Sequence, residues 1–291
     1  MGSAASPEVA AFPGGYEVWR ERKLAARPRR TEDLIVEVRD PRDLSAAEAA
    51  AIADRIRRAN MAVYASRCGD DPDREIPRAL GRRFALHRLD PNWLSDDDGI
   101  SSICVRDGAG RGEFIPYTNR PLGWHTDGYY NAPERRIRAF VLHCVRPAAA
   151  GGESRLLDHD LVYALLHDAN PAWVRALGQP EAMTIPARDE GTDAARVAQT
   201  GPVFSFEAGA LHMRYTARSV NIQWAADASA AAQFLAQWLK QEASFALRLK
   251  LEAGMGVICN NVLHTRDAFR DDPAAPRLLY RARFYDPIRA D

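Results

Sequence analysis

The sequence predicts a mainly β fold with flanking helices, of the sandwich or barrel kind, and three observations carry that prediction. From residue 103 onward the chain breaks into short β-like runs separated by Gly, Pro and Asp turns. Before and between those runs lie segments whose apolar residues recur at helical spacing. The 291 residues are 46% apolar and 27% charged, enough to bury a sizeable core. With no internal repeat and no compositional break, residues 1–291 are expected to form one domain.

Residues 1–33 read as an extended or partly flexible segment, followed by a short extended run over 34–38. Ser45 and Glu48 form a capping-box pattern, in which a hydroxyl and a carboxylate satisfy the free N–H groups of a helix start. Ala49, Ile52, Ile56 and Ala59 continue that helix with one apolar face, which must pack on something flat. A strand is expected over 61–65 and a second helix over 74–86. The β-rich part then reads as strands over 103–106, 114–117, 138–145, 154–158, 183–186, 203–206 and 211–215. Helical insertions over 160–180 and 226–243 interrupt the series, the second carrying Phe234, Leu235, Trp238 and Leu239 on one core-packing stripe. Strands over 245–249, 256–263 and 278–285 complete the chain.

Acidic and basic side chains number 39 each, so the totals announce neither a nucleic-acid nor a membrane partner. A small molecule is the expected partner, and a homo-oligomer is left open. Arg27, Arg29 and Arg30 fall in a loop-like stretch and read as solvated. Cys68, Cys104, Cys144 and Cys259 lie far apart with no C-x-x-C pair, which argues against a disulfide framework or a zinc-thiolate site and suits a cytoplasmic protein. No stretch approaches the length of a membrane span.

The first chemically informative stretch is Trp124-His125-Thr126-Asp127-Gly128. In an extended chain residues two apart face the same way, so His125 and Asp127 can reach one ion together. A distant second imidazole would complete the 2-His-1-carboxylate face that leaves positions open on Fe(II) for a co-substrate and O2. H-x-D alone is common by chance; the weight comes from His264, which ends an apolar strand beginning at Gly256, where a buried strand meets a loop. Downstream, period two places Arg277, Arg281 and Arg283 on one face and Leu278, Tyr280, Ala282 and Phe284 on the other. If the apolar face packs outward on helices, the arginines point inward, where a buried guanidinium needs an anionic partner. A dicarboxylate near the metal would supply one. Gly151-Gly152-Glu153-Ser154 adds a turn with a hydroxyl beside it.

Together these residues resemble the taurine dioxygenase and clavaminate synthase-like family of 2-oxoglutarate oxygenases, a group that includes the γ-butyrobetaine hydroxylases. The family pattern runs H-x-D/E, a Gly-Gly-x-Thr turn, then a late His followed by R-x-x-x-R. It is matched in order and approximate spacing by His125 and Asp127, Gly151 to Ser154, His264, and Arg277 with Arg281. The resemblance implies a double-stranded β-helix, or jelly roll, with Fe(II) held by His125, Asp127 and His264. It also implies that Arg277, assisted by Ser154, grips the distal carboxylate of 2-oxoglutarate, with Arg281 nearer the metal and contacting the co-substrate or an anionic group on the substrate. The implied reaction consumes O2, releases succinate and CO2, and hydroxylates an unactivated C–H bond of a small anionic or zwitterionic molecule. Ser154 departs from the usual Thr, keeping the hydroxyl and losing the methyl. The presence of Asp127 favours hydroxylation over the chlorination of related halogenases.

Tyr117, Asn119, Trp124, Tyr129, Tyr130, Arg214 and Arg283 are candidates to line the substrate pocket, by their aromatic or polar character and their nearness to the motif strands. Two competing functions are a jelly-roll isomerase or hydrolase that uses a metal without oxygen chemistry, and a non-catalytic binding module. The first has no need of an arginine clamp, and the second should have lost a ligand; this sequence has the clamp and the full ligand set.

Overall fold

Two sheets face each other with their inward side chains interdigitated, in a computed structural model that describes residues 12, 14–91, 95–106, 112, 114–188, 196–207, 209–218, 222–241 and 244–289. The larger sheet has six strands in the order Ile35–Val38, Met61–Ser66, Met255–Cys259, Ala139–Arg146, Leu278–Phe284 and Ser101–Ile103. Its first pair is parallel and the rest antiparallel. The smaller sheet is wholly antiparallel, in the order Leu247–Leu249, Ser154–Leu157, Leu263–Arg266 and Leu122–His125. This is the double-stranded β-helix with helices packed around it.

Period-two alternation sorts the side chains into layers. Val63, Phe140, Cys144, Val257 and Leu279 of the large sheet meet Leu156, Leu247 and Leu249 of the small one between the sheets. Tyr64, Val141, Ile258, Tyr280, Ala282 and Phe284 point the other way, onto Ile52 and Ile56 of the Ala46–Ala59 helix and Leu80 of the Glu75–Arg83 helix. Outside the small sheet, Trp124, Leu157 and Leu263 pack under the helices His159–Ala169, Pro171–Leu177 and Ala226–Gln241. Burying an aliphatic side chain of this kind contributes about 1.5–3 kcal/mol, so each apolar face is held by its neighbouring layer. The Ser45–Glu48 capping box is formed: Ser45 Oγ accepts from the Glu48 N–H at 3.3 Å, and Glu48 accepts from the Ser45 N–H at 2.7 Å.

Several expected elements differ. The N-terminal segment carries a helix, Tyr16–Ala26, which has no side-chain cap and is anchored by its one buried residue, Lys23. The expected strand over 114–117 is a short 3-10 turn, Ile115–Tyr117, because Pro116 suits a helical start and cannot donate to a ladder. The run over 256–263 divides into Met255–Cys259 and Leu263–Arg266, which lie in different sheets. Between them the chain reverses through Asn261 at a left-handed φ of 50°. The strand expected over 103–106 is Ser101–Ile103, and the helix expected over 74–86 stops at Arg83, just before Ala85 takes φ 57°. Residues 242 and 243, where the long helical insertion was expected to end, and most of the first thirteen lie outside the described residues.

Candidate metal centre

The division of the strand before His264 is what builds the site. His264 sits on the small sheet, directly opposite His125 in the antiparallel register. On its other side His125 bridges Thr216, Thr126 donates its N–H to the Tyr215 carbonyl at 3.0 Å, and the chain then turns at Gly128. Gly128 has φ 66°, and a Cβ there would stand 2.4 Å from Ile137 Cγ1, so glycine alone lets the turn close behind Asp127.

The three side chains converge. Nε2 of His125 lies 3.6 Å from Asp127 Oδ1, Nε2 of His264 lies 3.9 Å from the same oxygen, and the imidazole centroids are 4.1 Å apart. One donor atom from each falls within 4.8 Å of the others, as a shared cation requires. Nδ1 of His125 is 3.0 Å from the Gly123 carbonyl, and Nδ1 of His264 is 3.0 Å from the Val262 carbonyl. A carbonyl only accepts, so each ring carries its proton on Nδ1 and turns a bare Nε2 inward. Burial, and then the neighbouring His125, push His264 down to about 3, which keeps it in the neutral, ligating form.

Burial alone would raise the Asp127 carboxyl, but the positive charge of Arg281 outweighs it and holds the group well below the usual carboxylate range. Arg281 Nη1 lies 3.2 Å from both carboxylate oxygens. Two unprotonated imidazole nitrogens and one ionised carboxylate, gathered between the sheets, are the donor set of a first-row dication with open positions. The residues therefore fit Fe(II).

Arg277 is buried, its Nη1 has no hydrogen-bond partner among the described residues, and its guanidinium lies 4.9 Å from the centre of the Phe269 ring. Burial lowers its pKa. It shares a small cavity wall with Ser154, Gly151 and Gly152. Arg266, two residues after His264, lies 4.9 Å from the same ring centre and donates to the carbonyls of Ile115, Pro116, Thr118 and Arg120, fastening the loop that leads into the His125 strand.

The expected pocket residues scatter. Tyr117 is fully buried in the core between the sheets, and Trp124 faces the outer layer, where its indole donates to the Leu239 carbonyl at 3.2 Å. Both are core residues because period two turns Trp124 away from His125, and the 3-10 turn inserts Tyr117. Asn119 is exposed. Arg283 is occupied by Asp90 and, at 3.3 Å, by the Tyr130 hydroxyl. Arg214 donates to the carbonyls of Tyr129, Met183, Gln199, Gly201 and Pro202, so it binds loops together. Tyr129 and Arg214 do border a cavity of about 210 Å³ beside Asp127, together with Arg136, Asn131, Thr200 and His212. Sequence inspection missed Arg136, Asp90 and Asn261. Only Asn261 left a signal, as a turn-forming residue three positions before the late histidine.

The family model described as "Taurine catabolism dioxygenase TauD, TfdA family" matches residues 25–283. A uridine-5'-phosphate dioxygenase from Streptomyces sp. is 30% identical over 198 residues, covering 64% of this chain and 69% of the relative. A protein of the same description from Amycolatopsis sp. is 30% identical over 176 residues, 57% of this chain and 62% of the relative. A crystal structure of a taurine dioxygenase from Burkholderia xenovorans superposes with a TM-score of 0.57 at 19% identity, covering 89% of each chain.

Proposed function

The chain belongs to the TauD/TfdA family of dioxygenases, and from that membership we propose that it hydroxylates a C–H bond of a small anionic molecule, with His125, Asp127 and His264 holding Fe(II) and Arg277 anchoring 2-oxoglutarate. The observation that carries the assignment is the approach of the three donor atoms within 4.8 Å of one another, with both imidazole Nε2 atoms unprotonated. When bound, Fe(II) with 2-oxoglutarate and O2 supplies the oxidising power, and the co-substrate leaves as succinate and CO2.

The chain's own residues position and shield. Arg277 offers a desolvated guanidinium fork with a free Nη1, which suits a carboxylate and orients it through paired hydrogen bonds. Ser154 on the same cavity wall is placed to assist it. Arg281 keeps the Asp127 carboxylate ionised and oriented through Nη1, so it serves the ligand set.

The substrate's anionic group is assigned to the cavity beside Asp127. Arg281 and Arg283 are paired with the carboxylates of Asp127 and Asp90, whereas Arg136 borders that cavity with no carboxylate partner among the described residues, its one side-chain bond going to Ser205 Oγ at 3.0 Å. The Streptomyces and Amycolatopsis relatives are named for a phosphorylated small molecule, which favours a phosphate or comparable anion.

His264→Ala is expected to reduce Fe(II)-dependent succinate formation by a hundredfold or more while the protein still melts cooperatively; full turnover would remove His264 from the site. Succinate release should be stimulated by anionic members of a panel of phosphates, sulfonates and carboxylates, and Arg136→Gln should raise KM for the stimulating compound. Stimulation by neutral compounds alone would refute the anionic assignment and leave the oxygenase intact.

A further inference from the structure

We propose that Asn261 is a positioning residue of this centre, a clamp that sets where Asp127 stands relative to His264; the proposal rests on the assignment of His125, Asp127 and His264 as metal ligands. The ladder between the strands Leu263–Arg266 and Leu122–His125 ends at the His264–His125 pair, and beyond it the backbones part. Asp127 lies in the parted region, two residues past the last rung. Thr126 before it is tied to Tyr215, but no rung of the ladder with the His264 strand reaches Asp127 itself.

The Asn261 side chain fills the gap. Its Oδ1 accepts from the Asp127 N–H at 2.8 Å and its Nδ2 donates to the Asp127 carbonyl at 3.0 Å. This two-bond ring imitates one more rung of an antiparallel pair. The second Nδ2 hydrogen goes to the Ile137 carbonyl at 2.8 Å, so the amide oxygen and both amide hydrogens are used. Asn261 is only 1% exposed, and water does not compete for these bonds. The next residue, Val262, lends its carbonyl to Nδ1 of His264. One tight turn thus holds a carboxylate ligand by its backbone and an imidazole ligand by its ring. Arg281 grips the other end of Asp127, so the residue is fixed at both ends.

The chemistry explains why this residue is asparagine. The turn needs φ 50°, which Asn tolerates better than most residues. Aspartate could accept from the Asp127 N–H but would face two carbonyl oxygens with no hydrogen to give. Glycine would keep the turn and lose all three bonds.

The test uses Co(II) uptake by the full chain, measured by equilibrium dialysis in the cold so that less stable variants stay folded, together with the visible spectrum of the bound ion. Asn261→Gly and Asn261→Asp are expected to weaken Co(II) binding by tenfold or more, the range typical of groups that orient metal ligands. In the iron enzyme they should lower kcat more than they raise KM for 2-oxoglutarate. Asn260→Ala is the control: it loses contacts to Asn60 and Ile288 in the same turn but touches no ligand, so it should lower the melting temperature with Co(II) affinity unchanged. Co(II) affinity within twofold of wild type in both Asn261 variants would overturn the clamp and leave a packing role. Absence of Co(II) uptake by the wild-type chain would overturn the metal assignment itself, and the clamp with it.

Discussion

Arg277 and Arg283 are indistinguishable as members of one inward row, yet their surroundings give them opposite responses to the same substitution. Arg277 is a buried cation with an unpaired Nη1, so Arg277→Ala removes an unfavourable desolvation along with the co-substrate anchor. We expect KM for 2-oxoglutarate to rise at least tenfold and the melting temperature of the ligand-free protein to hold or increase. Arg283 is paired with Asp90, whose side chain is 0% exposed, so Arg283→Ala strips a partner from a buried carboxylate. Asp90 keeps Arg135 and the Tyr285 hydroxyl, so the change should cost about 1.5–3 kcal/mol in chemical denaturation, the value of one hydrogen bond to a charged group, with a smaller effect on KM; equal KM effects would undo the assignment of Arg277. At this scale the residues proposed for metal and co-substrate stood out in the sequence because each is a distinctive residue type at a fixed offset. The partner of Arg283 was not, since Asp90 is 193 positions away and pairings across that distance leave no periodic trace. Arg281 shows the same limit: its inward direction followed from period two, but its engagement by Asp127 depended on the tertiary fold.

The Tyr16–Ala26 helix shows what an element can hide from sequence inspection. It lacks a capping side chain and buries just one residue, Lys23, so neither a start signal nor an apolar stripe announces it. Its buried anchor is ionic, with Tyr16 and Trp19 packed half-buried beside it: Lys23 Nζ lies 2.7 Å from both Asp158 and Asp160, at the start of the His159–Ala169 helix, and Asn60 donates to both carboxylates at 2.9 Å. Asp158, His159 and Asp160 have metal-like spacing, but the lysine ammonium already supplies the positive charge. Lys23→Ala should therefore destabilise the protein by about 3–5 kcal/mol, because it leaves two buried carboxylates without their cation. A loss below about 0.5 kcal/mol by urea denaturation, the level of an exposed pair, would show that the node is solvated. The Ala46–Ala59 helix is the contrary case, legible to within a residue, since its capping box and apolar spacing are local features.

For the whole molecule, the layered arrangement followed from many short strands plus helices with one apolar face, while the assignment of strands to sheets did not. The run before His264 is apolar except for Asn260 and Asn261, and the left-handed turn at Asn261 sends its two halves into different sheets. Among the described residues no helix is long and apolar enough to cross a membrane. The interior also sets a pH response. Burial lowers His143 from 6.5 to about 4, so on acidification the unfolded chain takes up that proton before the folded one does. Stability is then complete above about pH 6.5 and is lost as pH falls toward 4, by on the order of 3 kcal/mol from this residue. Unfolding free energies at pH 7, 6 and 5 should decline in that order, more shallowly in His143→Gln; a flat profile would contradict it. The Lys23 node has a further consequence for any shortened form of the protein. A chain trimmed to begin after Ala26 would leave Asp158 and Asp160 facing one another with only the Asn60 amide between them, and would strip Tyr16 and Trp19 from the outer core as well. Losing that segment removes a cation and an aromatic layer in one cut, so the trimmed protein should melt lower than the Lys23→Ala variant of the full chain.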